Sequence, residues 1–149
     1  ASCLVGSEMC IRDSSKPIYP SSMQTLNNSW SNYLNNYEWT HTATVRLHYK
    51  ISELSADRIT TKLVKYKPIN YLFYCVENDR HDINHIHILL NATSTVGRDS
   101  IAKGLGKYSK SVSYFDTVKS NTAISWYCSK QLNQNIPYDL KFKEQYYLK

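Results

Sequence analysis

The sequence predicts an α+β fold: an antiparallel sheet of split βαβ topology with its helices on one face. Three observations predict it. Four segments alternate in hydrophobicity or run apolar as strands do, at Trp39–Tyr49, Tyr71–Val76, the run ending at Leu90, and Ser111–Val118. Between and after them lie stretches with apolar residues at helical spacing. Their order, β, α, β, β, α, β, α, puts a helical crossover between strands separated in the sheet by another strand. At 149 residues the chain suits one core of this kind.

Residues 1–37 read as a leader to a domain over residues 38–149. Within the leader, Glu8–Ser14 (EMCIRDS) resembles the translated mosaic end that transposase-based sequencing libraries append. The first stretch of about 14 residues is therefore read as an assembly artefact and set aside. Lys16–Asn36 is rich in Pro, Ser and Asn with sparse apolar residues, enough for one short helix.

In the first strand, His41, Ala43, Val45, Leu47 and Tyr49 share one face, with Thr40, Thr42, Thr44, Arg46 and His48 on the other. Ser52 or Ser55 then caps a helix whose apolar stripe is Ala56, Ile59, Leu63 and Tyr66, stopped by Pro68. A hairpin follows, its two strands joined by a polar turn from Asn78 to Asn84. The strand that leaves the turn is expected at the centre of the sheet. A short, glycine-interrupted helix covers Arg98–Leu105. Asn121 or Thr122 caps the last helix, which is expected to run to about Gln134 before Pro137 and a tail rich in Tyr and Lys.

Lys and Arg number 18 against 12 acids, a net charge of +6 scattered along the chain. Such a surface suits a polyanion, nucleic acid first, and the 13 tyrosines suit either base stacking or the edge of a core. No apolar stretch reaches the ~20 residues of a membrane span, so no membrane partner is expected. The four cysteines have no CxxC spacing, which predicts a reducing, intracellular setting, and the lack of a span-length apolar stretch predicts a soluble protein.

The chemistry centres on Tyr71–Leu90, YLFYCVENDRHDINHIHILL. In a strand, His85 and His87 leave the same face about 7 Å apart, with Ile86, Ile88 and Leu90 on the other. The hairpin folds Glu77, at the end of the preceding strand, back beside them. Two imidazoles and a carboxylate can hold a divalent cation with positions left for substrate. His81 and Asp82, in the turn, read as exposed rather than as ligands. In the last helix, Tyr127 and Lys130 of the tetrapeptide YCSK are three apart and so neighbours on one face. A phenol beside an ammonium is a candidate nucleophile for a polarised phosphate.

A carboxylate, then His-hydrophobe-His on a strand, then YxxK on a helix resembles the HUH endonuclease superfamily, in particular the rolling-circle replication initiators of circular single-stranded DNA viruses. The resemblance covers roughly Trp39 to Gln134 and implies a ferredoxin-like HUH topology. It implies Glu77, His85 and His87 as ligands of Mg²⁺ or Mn²⁺, Tyr127 as the attacking nucleophile and Lys130 as its charged assistant. The implied activity is nicking and joining of single-stranded DNA at an origin stem-loop through a 5′-phosphotyrosine link. A host-nuclear setting is implied for a eukaryotic virus. Thr44, Arg46, His48, Lys103 and Lys107, with Lys110 and Lys119, are candidates for DNA contact. The first strand, ATVRLHYK, matches the family motif in alternation more than in identity, which leaves its role in origin recognition open. The family usually carries a helicase domain after the nuclease, so the chain is expected to be either a truncated domain or a standalone nuclease, with oligomerisation expected if a helicase domain has been removed. Three alternatives stay open: a single-tyrosine transposase, which would use Gln131; a non-catalytic nucleic-acid-binding module; and a zinc or non-haem iron site, which leaves YCSK without a role.

Overall fold

The structure, a computed structural model, describes residues 29–78, 84–93, 96–130, 132 and 136–143. The chain forms two compact units, Trp39–Val118 with Ile136–Lys149, and Ala1–Glu38 with Lys119–Asn135.

The first unit is built on a five-stranded sheet. Its strands are β1 (His41–Leu47), β2 (Ile69–Asn78), β3 (Asn84–Ala92), β4 (Ser109–Thr117) and β5 (Tyr138–Phe142). Their order is β4-β1-β3-β2-β5, and every neighbouring pair is antiparallel. The His-bearing strand is the central one, as its sequence suggests. β1 and β2 both run antiparallel to β3, which lies between them.

Strict alternation sorts the two faces. Val45, Ile86, Ile88, Leu72 and Val76 point to one side, where Ala56, Ile59 and Leu63 of helix α2 (Glu53–Val64) and Ile101 and Leu105 of α3 (Arg98–Leu105) close over them. A helical stretch over residues 29–34, in the other unit, is α1. Each fully buried Ile or Leu contributes roughly 1.5–3 kcal/mol as an upper figure, so Ile86, Ile88 and Leu90 of β3 together outweigh any single polar contact below. Tyr74 lies in the same core, and burial pushes its phenol up to about 12, against a hydrogen bond from Thr60 that pulls it down. The helices meet closely at Gly104, where a Cβ would lie 2.3 Å from Leu63 Cδ1.

The element boundaries differ from the sequence reading at several points. Ser52 is the cap of α2, its hydroxyl accepting the Ser55 N–H at 3.1 Å. The helix ends at Val64, four residues before Pro68, which leaves Tyr66 outside it and exposed. β1 stops at Leu47, so His48 and Tyr49 are not strand residues and both are exposed. The expected tail contains an edge strand, β5, in which Phe73 faces Leu140 and Tyr71 faces Phe142. Lys141 of β5 bonds Asp57 of α2, tying the edge to the helix layer.

In the second unit, helix α4 (Asn121–Ser129) is capped by Ser120 rather than by Asn121 or Thr122. The Ser120 hydroxyl accepts the Ala123 N–H at 3.2 Å. Asn121 instead uses its amide to hold the turn after α1, donating to Asn35 Oδ1 at 2.8 Å and to the Tyr37 carbonyl at 2.9 Å. The expected continuation to Gln134 enters residues outside those described, as do the turn residues His81 and Asp82.

Candidate functional site

The site is built on the face of the sheet opposite α2 and α3. Because Ile86 and Ile88 are drawn into the core, His85 and His87 must leave β3 on the other side. Cross-strand register then decides their neighbours. Glu77 of β2 stands opposite His85, and Cys75 opposite His87. From β1, Arg46 stands opposite His85 and Thr44 opposite His87.

Both ring nitrogens of His87 are engaged. Nε2 lies 2.7 Å from Glu77 Oε1, a diagonal cross-strand contact, and Nδ1 lies 3.2 Å from Thr44 Oγ1. An ionised carboxylate only accepts, so in the neutral ring Nε2 carries the proton toward Glu77 and Nδ1 accepts from the Thr44 hydroxyl. The pair is partly shielded, with 14% of the His87 side chain and 26% of Glu77 exposed, so water weakens the bond only in part.

A cation bound by both atoms at about 2.1 Å and a right angle would hold them about 3 Å apart. Glu77 and His87 are already within a few tenths of an ångström of that spacing. The nitrogen and oxygen donors suit Mn²⁺, and the carboxylate suits Mg²⁺. His85 shares the face and stands opposite Glu77, but among the described residues no three His, Cys, Asp or Glu side chains converge into a cage.

Thr44 is fixed from its other side as well. β4 bulges between the partners of Thr44 and Val45, and Ser113 in that bulge donates its hydroxyl to the Thr44 carbonyl at 3.1 Å. Bulges commonly re-aim side chains next to functional sites. Tyr114 follows, opposite Thr44.

The remaining residues singled out from the sequence are spread more widely. Arg46 is half-buried and shares the His face, between His85 on β3 and Ser111 on β4. Exposed Lys103 rides on α3, the layer covering the opposite face of the sheet. Lys107 lies in the turn after it, with Nζ 5.8 Å from the centre of the Tyr108 ring. His48 is exposed beyond the end of β1, and Lys110 on β4 and Lys119 are exposed too.

In the second unit, α4 brings Tyr127 and Lys130 together as their spacing predicts. The Lys130 ammonium sits 4.3 Å from the centre of the Tyr127 ring. Tyr127 is half-buried, while Ser125, Cys128 and Ser129 are buried.

What the sequence reading missed is the contact between Thr44 and His87; it placed Thr44 on the correct face, as a candidate for DNA contact. The alternation of β1 was the available signal for the face. Its pairing with His87 depends on register between distant strands. Cys75, buried and opposite His87 on the same face, was also passed over. Compared with protein-family models, curated proteins and solved structures, the chain has no match.

Proposed function

We propose that the chain is an HUH-type DNA endonuclease domain that nicks and rejoins single-stranded DNA through Tyr127, of the kind that initiates rolling-circle replication. The observation that carries the reading is the Glu77–His87 contact, a carboxylate and an imidazole from separate strands brought to 2.7 Å beside His85. Support also comes from the ammonium of Lys130 over the ring of Tyr127.

In this reading Glu77, His85 and His87 hold Mg²⁺ or Mn²⁺, which supplies charge neutralisation at the non-bridging phosphate oxygens. The Tyr127 phenol gives its proton to water and its oxygen bonds phosphorus. The bond from phosphorus to the 3′-oxygen breaks, and that oxygen takes up a proton. One phosphate ester is exchanged for another, so no external energy source is needed and the reverse reaction joins ends. Lys130 stabilises the phenolate as it forms, because an ammonium is held more strongly by an anion than by a neutral ring. The scattered positive charge draws the DNA backbone in, with Arg46, opposite His85 on the His face, as one cationic candidate. The setting is intracellular, where Cys75 and Cys128 stay reduced thiols.

One observation favours a second reading. Both nitrogens of His87 are satisfied by protein groups, as in a structural cross-strand network, and the chain would then bind single strands without cutting them. Incubation with Mn²⁺ and labelled stem-loop oligonucleotides separates the two. The nuclease reading expects a protein–DNA adduct stable to denaturant, lost in Tyr127→Phe with binding retained. Binding without adduct in the unaltered protein would establish the second reading.

A further inference from the structure

We infer that Thr44 is a positioning residue for the metal site, its hydroxyl holding the ring of His87 in both states that metal binding requires. The inference rests on the metal reading above and concerns a residue outside the ligand set.

In the structure Nε2 faces Glu77 and Nδ1 faces Thr44. A neutral imidazole has one N–H and one lone pair, so the partner on Nδ1 decides which nitrogen is left to do what. With Nε2 protonated toward Glu77, Nδ1 needs a donor. With Nε2 bound to a cation, the ring proton must sit on Nδ1, and Nδ1 then needs an acceptor. The proton lost at Nε2 is regained at Nδ1 through solvent, so the ring stays neutral and the count of protons is unchanged.

A hydroxyl both donates and accepts and can rotate between the two roles. A carbonyl could serve only the second state, and an ammonium only the first. Thr44 can serve both without moving its backbone, which is held by the β1–β3 ladder on one side and by the Ser113 hydroxyl on its carbonyl on the other. The bulge in β4 beside it is the device that places Ser113 there. Groups of this kind, bonded to the far nitrogen of a ligating imidazole, commonly change metal affinity 10- to 100-fold when removed.

The test uses the whole chain, labelled with ¹⁵N at histidine, in three forms: unaltered, Thr44→Val and Thr44→Ser. Val keeps the shape and strand preference of Thr while removing the hydroxyl, and Ser restores it. Ring ¹⁵N spectra without metal report the tautomer of His87, and titration with Mn²⁺ reports affinity. In the unaltered protein the Nε2–H form should predominate. Thr44→Val should give a tautomer mixture and a Mn²⁺ affinity about 10-fold lower or weaker still, and Thr44→Ser should recover both. An unchanged tautomer and affinity in Thr44→Val would overturn the inference, as would a Ser variant that behaves like Val. If the unaltered protein binds no Mn²⁺, the metal reading fails. The tautomer measurement then still decides whether Thr44 holds the ring.

Discussion

Asn84 is 2% exposed at the start of β3, and its Oδ1 accepts the N–H of Ile51 at 2.5 Å. That bond joins the segment leading into α2 to the strand that carries both site histidines. Asn84→Ala removes the acceptor and leaves a buried amide at Ile51, itself 8% exposed, without this partner. The cost of such a loss is about 1–3 kcal/mol, and the missing amide volume adds to it, so a total of roughly 2–3 kcal/mol is expected. At about 2–4 °C per kcal/mol for a chain of this size, the melting temperature should fall by roughly 4–12 °C. The local signature is sharper. Exchange of the Ile51 amide with D₂O should accelerate by one to two orders of magnitude, since every 1.4 kcal/mol is about a factor of ten. The Ala56 amide, bonded to the Ser52 carbonyl at 2.9 Å inside α2, should change only as much as global stability does. Asn84→Leu, which restores volume but not the acceptor, should keep the fast Ile51 exchange. Equal exchange rates at Ile51 in all three proteins would refute the reasoning.

Two further outcomes follow from the same core. Gly104→Ala places a methyl 2.3 Å from Leu63 Cδ1, and Leu63 is wholly buried, so the strain of overpacking, about 1–3 kcal/mol, should exceed the roughly 1 kcal/mol that Ala gains over Gly in a helix. Chemical denaturation should show net destabilisation, with the penalty reduced when Leu63 is shortened to Ala in the same protein. His41 stacks on Phe115, and burial lowers its pKa below the ordinary 6.5, with Asp116 pulling the other way. The unfolded chain therefore binds the proton first as pH falls, and stability should drop as pH descends through 6.5. His41→Gln should flatten that acid slope of stability against pH, and an unaltered slope would remove His41 from the explanation.

Much of the sheet was legible because it rests on alternation. Ala43, Val45 and Leu47 against Thr44 and Arg46 fix the faces of β1, and Ile86 and Ile88 against His85 and His87 fix those of β3. The bounds of α3 were legible too, and Ser52 was one of the two cap candidates for α2, since both depend on nearby residues. β5 was missed although YDLKF alternates, because five residues after Pro137 in a stretch of Tyr and Lys look like a polar tail. The cap of α4 falls at Ser120, whose hydroxyl accepts the Ala123 N–H, while the Asn121 amide donates to Asn35 and Tyr37, contacts that local sequence does not disclose. At the site, the shared face of Glu77, His85 and His87 follows from a hairpin and a two-residue period. The bond between Thr44 and His87 does not, since it depends on the register of strands far apart in the chain and on a bulge in a third.

The most direct measurement of the proposed nuclease activity is whether DNA becomes joined to the protein and, if so, to which residue. After reaction with Mn²⁺ and a stem-loop oligonucleotide, protease digestion and mass spectrometry should find the nucleotide on the peptide containing Tyr127 alone. Adduct yield should fall at least tenfold in Glu77→Gln and in His87→Ala, by the scale typical of disturbed metal sites. A nucleotide carried by any other side chain, or an adduct that forms equally well without Glu77 and His87, would contradict the account.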